Sequence, residues 1–190
     1  MALRIKLISA ESRAGFRDSN EGGKTRPTNN VMNTIKTLLY MGSLHGFFTF
    51  YFPYQLSLAN NSLFELSVFR NLAFPLWLIG TLIIAWCSID IIRCGRGTPA
   101  HFDPPKILIV HGLYHYVRNP VYLGALLVQL GYILWFGSGV MTSYFVFFVL
   151  AYHILIVFIE EPILRNTFGA AYDNYVKSVP RWIPHINQAK

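Results

Sequence analysis

Residues 121–159 read VYLGALLVQLGYILWF, then GSG, then VMTSYFVFFVLAYHILIVFI. Two apolar runs, Val121 to Phe136 and Val140 to Ile159, flank the break Gly137-Ser138-Gly139, and no Asp, Glu, Lys or Arg falls anywhere in the stretch. Glycine and serine in so short a break specify a tight turn. The expectation is a pair of antiparallel helices. A helix that crosses the hydrocarbon core of a bilayer needs about 20 apolar residues. With two earlier runs, Ile35 to Tyr54 and Val68 to Ile92, four stretches meet that length or nearly so. Pro75 falls in the first turns of the second run, where a proline is best tolerated. The fold class expected is therefore all-α: an integral membrane protein of about four transmembrane helices, with a short cytoplasmic C-terminal helix.

Composition agrees. Hydrophobic residues make up 53% of the 190-residue chain and charged residues 13%, where a soluble domain carries roughly 25% charged residues. The net charge of +7 is spread between apolar blocks and makes no continuous stripe, so no nucleic-acid partner is expected. Its distribution gives an orientation instead. Of the 16 Lys and Arg, seven lie at or before Lys36, four lie between the second and third runs (Arg93, Arg96, Lys106, Arg118), and four follow the fourth (Arg165, Lys177, Arg181, Lys190). Only Arg70 lies between the first and second runs. Basic residues gather on the cytoplasmic side, so the chain is expected to be multi-pass with both termini and the middle loop cytoplasmic. Residues 1–30 hold six basic residues among Gly, Ser and Asn. They read as a basic, disordered cytoplasmic tail, too poor in apolar residues for a signal peptide. Residues 31–190 read as one membrane-embedded domain. Cys87 and Cys94, seven apart on one helix, are too far apart along its axis to bridge and read as apolar fillers.

Three polar clusters fall on the expected cytoplasmic side. Gly95-Arg96-Gly97-Thr98-Pro99, continuing to Asp103-Pro104-Pro105, specifies a fixed non-helical path or an ordinary connector. In the second cluster, Tyr114, Arg118, Asn119, Pro120, Tyr122 and Gly124 follow one another closely. Asn119 precedes a proline and is biased away from helix, so Pro120 opens the third helix at its first position. Arg118 and the free backbone N–H groups there suit an anion, although Arg and Tyr also serve as plain interfacial anchors. Gly124 leaves room for another group to approach the helix backbone. The third cluster is Glu160-Glu161-Pro162 with Phe168, Gly169, Tyr172, Tyr175, Arg181 and Pro184. Adjacent carboxylates at the C-terminal end of a transmembrane helix repel each other and oppose the helix dipole. They call for a cation or a donor-rich ligand, or for an ion pair with Arg165 or Arg181. On this reading, replacing either by Gln leaves the empty protein equally or more stable. His111 and His115 are four apart, but Gly112 intervenes and no carboxylate is suitably spaced, so no metal is expected.

The run Gly112-x-Tyr114-x-x-x-Arg118-Asn119-Pro120-x-Tyr122-x-Gly124, followed by Glu160-Glu161, Leu164, Phe168-Gly169, Tyr172, Tyr175, Arg181 and Pro184, resembles the isoprenylcysteine carboxyl methyltransferase family, which is related to the phospholipid N-methyltransferases. The Gly-Thr-Pro loop resembles that of its bacterial members in particular. The resemblance implies a membrane enzyme that uses S-adenosylmethionine. It implies that Tyr114, Arg118, Asn119, Pro120, Tyr122 and Gly124 line one side of the cofactor and Glu160 and Glu161 the other, with Arg118 and Glu160 closest to catalysis. It also implies a lipid-like or isoprenylated substrate taken from the bilayer lipids, carboxyl O-methylation being favoured over amine N-methylation. Eukaryotic carboxyl methyltransferases carry His where this chain has Asn119, which bears on the substrate and not on the cofactor. The rival readings are a membrane reductase using NADPH and a non-catalytic scaffold.

The charge distribution makes a direct prediction. Reporter tags at residue 1 and residue 190 both read cytoplasmic, and a tag near Asn60 reads external; termini on opposite sides would sink the even number of spans.

Overall fold

The structure is a computed structural model that describes residues 35–36, 38–39, 42–58, 68–92 and 107–184. The basic segment 1–30, Cys94 and the loop from Gly95 to Pro105 lie outside the described residues. The described residues form helices and no strand.

A π-helical stretch, Gly46–Tyr51, runs into α1, Phe52–Leu58. A 3-10 turn at Arg70–Leu72 leads into α2, Ala73–Asp90, with Pro75 in its first turn. A second 3-10 turn, Gly112–His115, precedes α3, Pro120–Phe136. α4, Gly139–Leu155, continues through a π-helical stretch, Ile156–Glu160, into α5, Glu161–Phe168, and Gly169 separates α5 from the short C-terminal α6, Ala170–Ser178. Pro120 opens α3 at its first position, as its missing N–H and fixed φ favour. Gly137 closes α3 in the left-handed conformation (φ 60°) that only glycine adopts without strain. That residue and Ser138 complete the turn from α3 to α4.

Two helical stretches are long and apolar enough to cross a membrane: Arg70–Asp90, 21 residues, and Gly139–Phe168, 30 residues. α3 is apolar and shorter, at 17 residues. The outer faces are apolar too. Leu78, Leu82, Trp86 and Ile89 on α2, and Phe147, Leu150, Ile154 and Phe158 on the α4 stretch, are all exposed at helical spacing. A face of that kind belongs against lipid, because contiguous apolar stripes are rare on proteins surrounded by water.

Among the described residues, α2 and α3 make the most extensive contact between elements. Small residues permit it. A β-carbon on Gly80 would lie 2.6 Å from the Gly124 carbonyl oxygen, and one on Gly124 would lie 2.8 Å from the Gly80 carbonyl oxygen. One turn away, Trp77 sits against Gly131, where a β-carbon would meet its indole at 2.6 Å. Ile84, Tyr122, Ala125, Phe148, Tyr152 and Ile156 fill the space between α2, α3 and the α4 stretch. A separate core of Leu108, Val110, Tyr172, Tyr175 and Val179 packs α6 against the chain segment that leads to α3.

The α2–α3 contact has no slack. Gly80→Ala is expected to destabilise the protein by about 1–3 kcal/mol, the usual cost of overpacking a filled interface, and to lower its melting temperature in detergent. An unchanged melting curve would show that the helix backbones do not meet there.

Candidate active site

The N-terminus of α3 meets the end of the α4 stretch and the segment after α6. Asn119 is non-helical (φ −125°, ψ 58°), as its place before proline requires. The Arg118 N–H donates to the Pro180 carbonyl at 2.9 Å, and the Asn119 side-chain amide donates to the Arg181 carbonyl at 3.2 Å. These two bonds hold residues 180–181 beside the entry to α3.

Between them lies the Glu161 carboxylate. Arg118 Nη1 donates to Glu161 Oε1 at 3.0 Å. Arg181 grips the same carboxylate through both oxygens, Nε to Oε1 at 2.7 Å and Nη2 to Oε2 at 3.0 Å. Such a planar fork is the geometry in which arginine binds carboxylates best. The Glu161 carboxylate holds Arg181 above its ordinary pKa. Arg118 Nε is buried and has no hydrogen-bond partner among the described residues. Glu160, one residue earlier, accepts a hydrogen bond from the Tyr122 hydroxyl. The Tyr122 ring lies 4.7 Å from that of Tyr152.

Tyr114 completes the group. The Tyr175 hydroxyl donates to the Tyr114 backbone carbonyl at 2.6 Å, fixing the 3-10 turn to α6. Burial, followed by the fields of Cys87, Tyr175, Glu160 and Asp90, holds the Tyr114 phenol well above its usual pKa. Burial raises Tyr175 in the same way. Both phenols stay neutral and act as hydrogen-bonding groups.

The residues expected from sequence thus divide. Arg118, Glu160, Glu161, Tyr122 and Tyr114 come together. Asn119 and Pro120 shape the helix entry, Asn119 by holding backbone. Gly124 admits the backbone of α2. His115 lies edge-on to Tyr116, their ring centroids 5.1 Å apart. One expectation needs correction. The helix does not end at Glu160-Glu161: it continues through the π-helical stretch into α5, so the pair does not face the negative end of a helix dipole. Arg118 Nη1 is engaged by the chain's own Glu161. Of the two arginines considered as counter-ions, Arg181 is the one, while Arg165 pairs with Asp173 at 2.9 Å. Asp90 was not singled out from the sequence. The signal was available, since it is the only acidic residue in the apolar run from Val68 to Ile92.

The model of the phospholipid methyltransferase family matches residues 64–171, more than half of the sequence, and the chain belongs to that family. Together with its long apolar helices, this makes it a membrane protein. The protein-S-isoprenylcysteine O-methyltransferase of Schizosaccharomyces pombe is 35% identical over 80 residues, 42% of this chain and 34% of that protein. Probable protein-S-isoprenylcysteine O-methyltransferases of Oryza sativa, from the indica and japonica subspecies, are 29% identical over 103 residues, 52% of this chain and 54% of theirs. The chain therefore matches about a third to a half of the length of these curated relatives. No solved structure matches it.

The two carboxylates have different partners, and their Gln variants will differ. Glu161→Gln leaves the buried Arg118 guanidinium and the partly exposed Arg181 without their counter-ion and is expected to cost about 3 kcal/mol, the low end for breaking a buried pair. Glu160→Gln is expected to leave the melting temperature of the ligand-free protein unchanged or higher. Equal melting curves for the two variants would contradict the clamp.

Proposed function

We propose that the chain is an S-adenosylmethionine-dependent methyltransferase acting on a lipid-like or isoprenylated membrane substrate, with carboxyl O-methylation favoured over amine N-methylation. The observation that carries this reading is the convergence of Arg118, Tyr122, Glu160 and Glu161, drawn from two motifs about 40 residues apart, on one end of the helix bundle. Family membership and the names of the relatives support the same activity.

The side chains fit the cofactor by their unused capacity. Arg118 keeps a buried N–H without a partner, which suits the cofactor's carboxylate. Glu160, held by Tyr122 on one side, keeps acceptor positions for an ammonium or for ribose hydroxyls. When bound, S-adenosylmethionine supplies a methyl group on a sulfonium, ready for displacement by a nucleophile. The work left to the protein is positioning, which can account for much of the rate of such a reaction. The Arg118–Glu161–Arg181 clamp sets Arg118, Tyr122 sets Glu160, and Tyr175 sets the turn that carries Tyr114. A carboxylate substrate needs no base. An amine must first lose a proton, for which Glu160 and His115 are the candidate acceptors. In this reading four helices span the bilayer, both termini and the site are cytoplasmic, and the substrate reaches the site from the membrane.

The test is ligand stabilisation of the purified protein in detergent. S-adenosylhomocysteine at about a hundred times its Kd is expected to add about 2.7 kcal/mol of stability, and NADPH none. Glu160→Gln is expected to keep the fold and lose both that stabilisation and methyl transfer. Stabilisation by NADPH alone would replace this reading by a reductase; stabilisation by neither ligand would favour a scaffold.

A further inference from the structure

Asp90 closes α2, and one of its oxygens, Oδ2, is shut off from solvent with no hydrogen-bond donor among the described residues. A buried acceptor left without a donor is costly, and a buried carboxylate more so. The space around it is also specific. Oδ2 points at Gly112, whose backbone is left-handed (φ 58°), and a β-carbon there would lie only 2.8 Å from that oxygen. Gly112 therefore gives both the turn and the room that the carboxylate occupies. Two residues on, the Tyr114 hydroxyl feels the fields of both Asp90 and Glu160. It also lies close enough to the Cys87 thiol, one turn before Asp90 on α2, to interact with it. Asp90 is thereby tied to the same group of side chains as Glu160, from a helix that carries neither family motif.

The acceptors of this group are unevenly served. Arg118 and Arg181 are both engaged by Glu161. Glu160 receives a tyrosine hydroxyl, and Asp90 Oδ2 receives nothing among the described residues. A ribose hydroxyl donates one hydrogen bond and carries no charge. An ammonium brings three N–H donors and a positive charge to a carboxylate.

We propose that Asp90 is a further ligand-binding residue of the site, its Oδ2 accepting a hydrogen bond from the ammonium of the cofactor's amino-acid end. The proposal rests on the methyltransferase reading above, and the experiment separates the two. Full-length wild type and Asp90→Asn are titrated in detergent with S-adenosylhomocysteine and with its deaminated analogue, which lacks only the amine. In the wild type, removing the amine is expected to weaken binding about tenfold or more, the loss of one charge-assisted hydrogen bond. In Asp90→Asn the same removal is expected to change affinity less than about threefold, because the partner is already gone. Asp90→Leu, free of polar atoms and branched in the same way, gives the same comparison should the amide variant not fold. An equal drop in wild type and variant overturns the proposal. Loss of all binding in a folded variant also overturns it, and would make Asp90 a structural support of the site instead of a partner of the amine. If the wild type binds neither compound, the methyltransferase reading fails and this inference with it. If the wild type binds both and the variant matches it, only the role of Asp90 fails.

Discussion

The Glu161 carboxylate is nearly buried at a point where three distant parts of the chain meet. A charge in that position must be paired and hydrogen-bonded, or the fold loses several kcal/mol. Arg118 reaches it from the entry of α3 and Arg181 from the segment after α6. Backbone bonds then reinforce the same junction, from Arg118 N–H to Pro180 and from Asn119 to Arg181. With both arginines turned to Glu161, a ligand in the proposed site would meet the Arg118 Nε–H, the free acceptor positions of Glu160 and Asp90. The demand for pairing at one residue thus decides both how the C-terminal segment docks and which groups stay available for chemistry.

The π-helical stretch before Glu161 has a local cause. Pro162 has no N–H to give, and its ring would press on the carbonyl four residues back, at Phe158. A wider turn relieves that contact, and Glu161 N–H bonds the carbonyl of Ile156, five residues back. The helix therefore passes the proline without breaking. Its widened turn directs Glu160 towards Tyr122 and Glu161 into the clamp, while Phe158 and Ile159 stay exposed on the outside. Side chains of opposite character follow one another along the helix and face opposite ways.

Much of this was legible in the sequence because it rests on local rules. The turn at Gly137 and Ser138, the opening of α3 at Pro120 and the apolar runs all follow from backbone sterics and hydropathy. The grouping of Arg118 with the glutamates came from motif resemblance. What was not legible depends on tertiary contact. The dipole argument for Glu160-Glu161 assumed that the helix ended there, and the end of an apolar run is not the end of a helix: charged residues carry α5 on to Phe168. Arg181 and Arg165 were equivalent as counter-ions until α6 turned the chain, placing Arg181 over Glu161 and Arg165 beside Asp173. Gly124 announced a close approach without saying by what, and the partner proved to be Gly80. Asp90 escaped because a single acid in an apolar run carries no spacing to recognise.

The length of the last long helix connects membrane to site. Thirty residues from Gly139 to Phe168 extend about 45 Å, against a hydrocarbon core of about 30 Å. One end must pass beyond the core. The apolar faces of Phe147, Leu150, Ile154 and Phe158 run up to the widened turn, and the charged residues begin at the next two positions after Ile159. On the proposed topology the boundary between lipid and water would fall at the turn that holds Glu160 and Glu161. A polar cofactor at the clamp would lie on the aqueous side of that boundary. An acyl or prenyl chain against Phe158 and Ile159 would lie on the other, with only the thickness of one helix between them. For a soluble enzyme, joining such reactants would require pulling a hydrocarbon chain into water. On the proposed reading each would stay in the medium that solvates it, and only the reacting ends would have to meet.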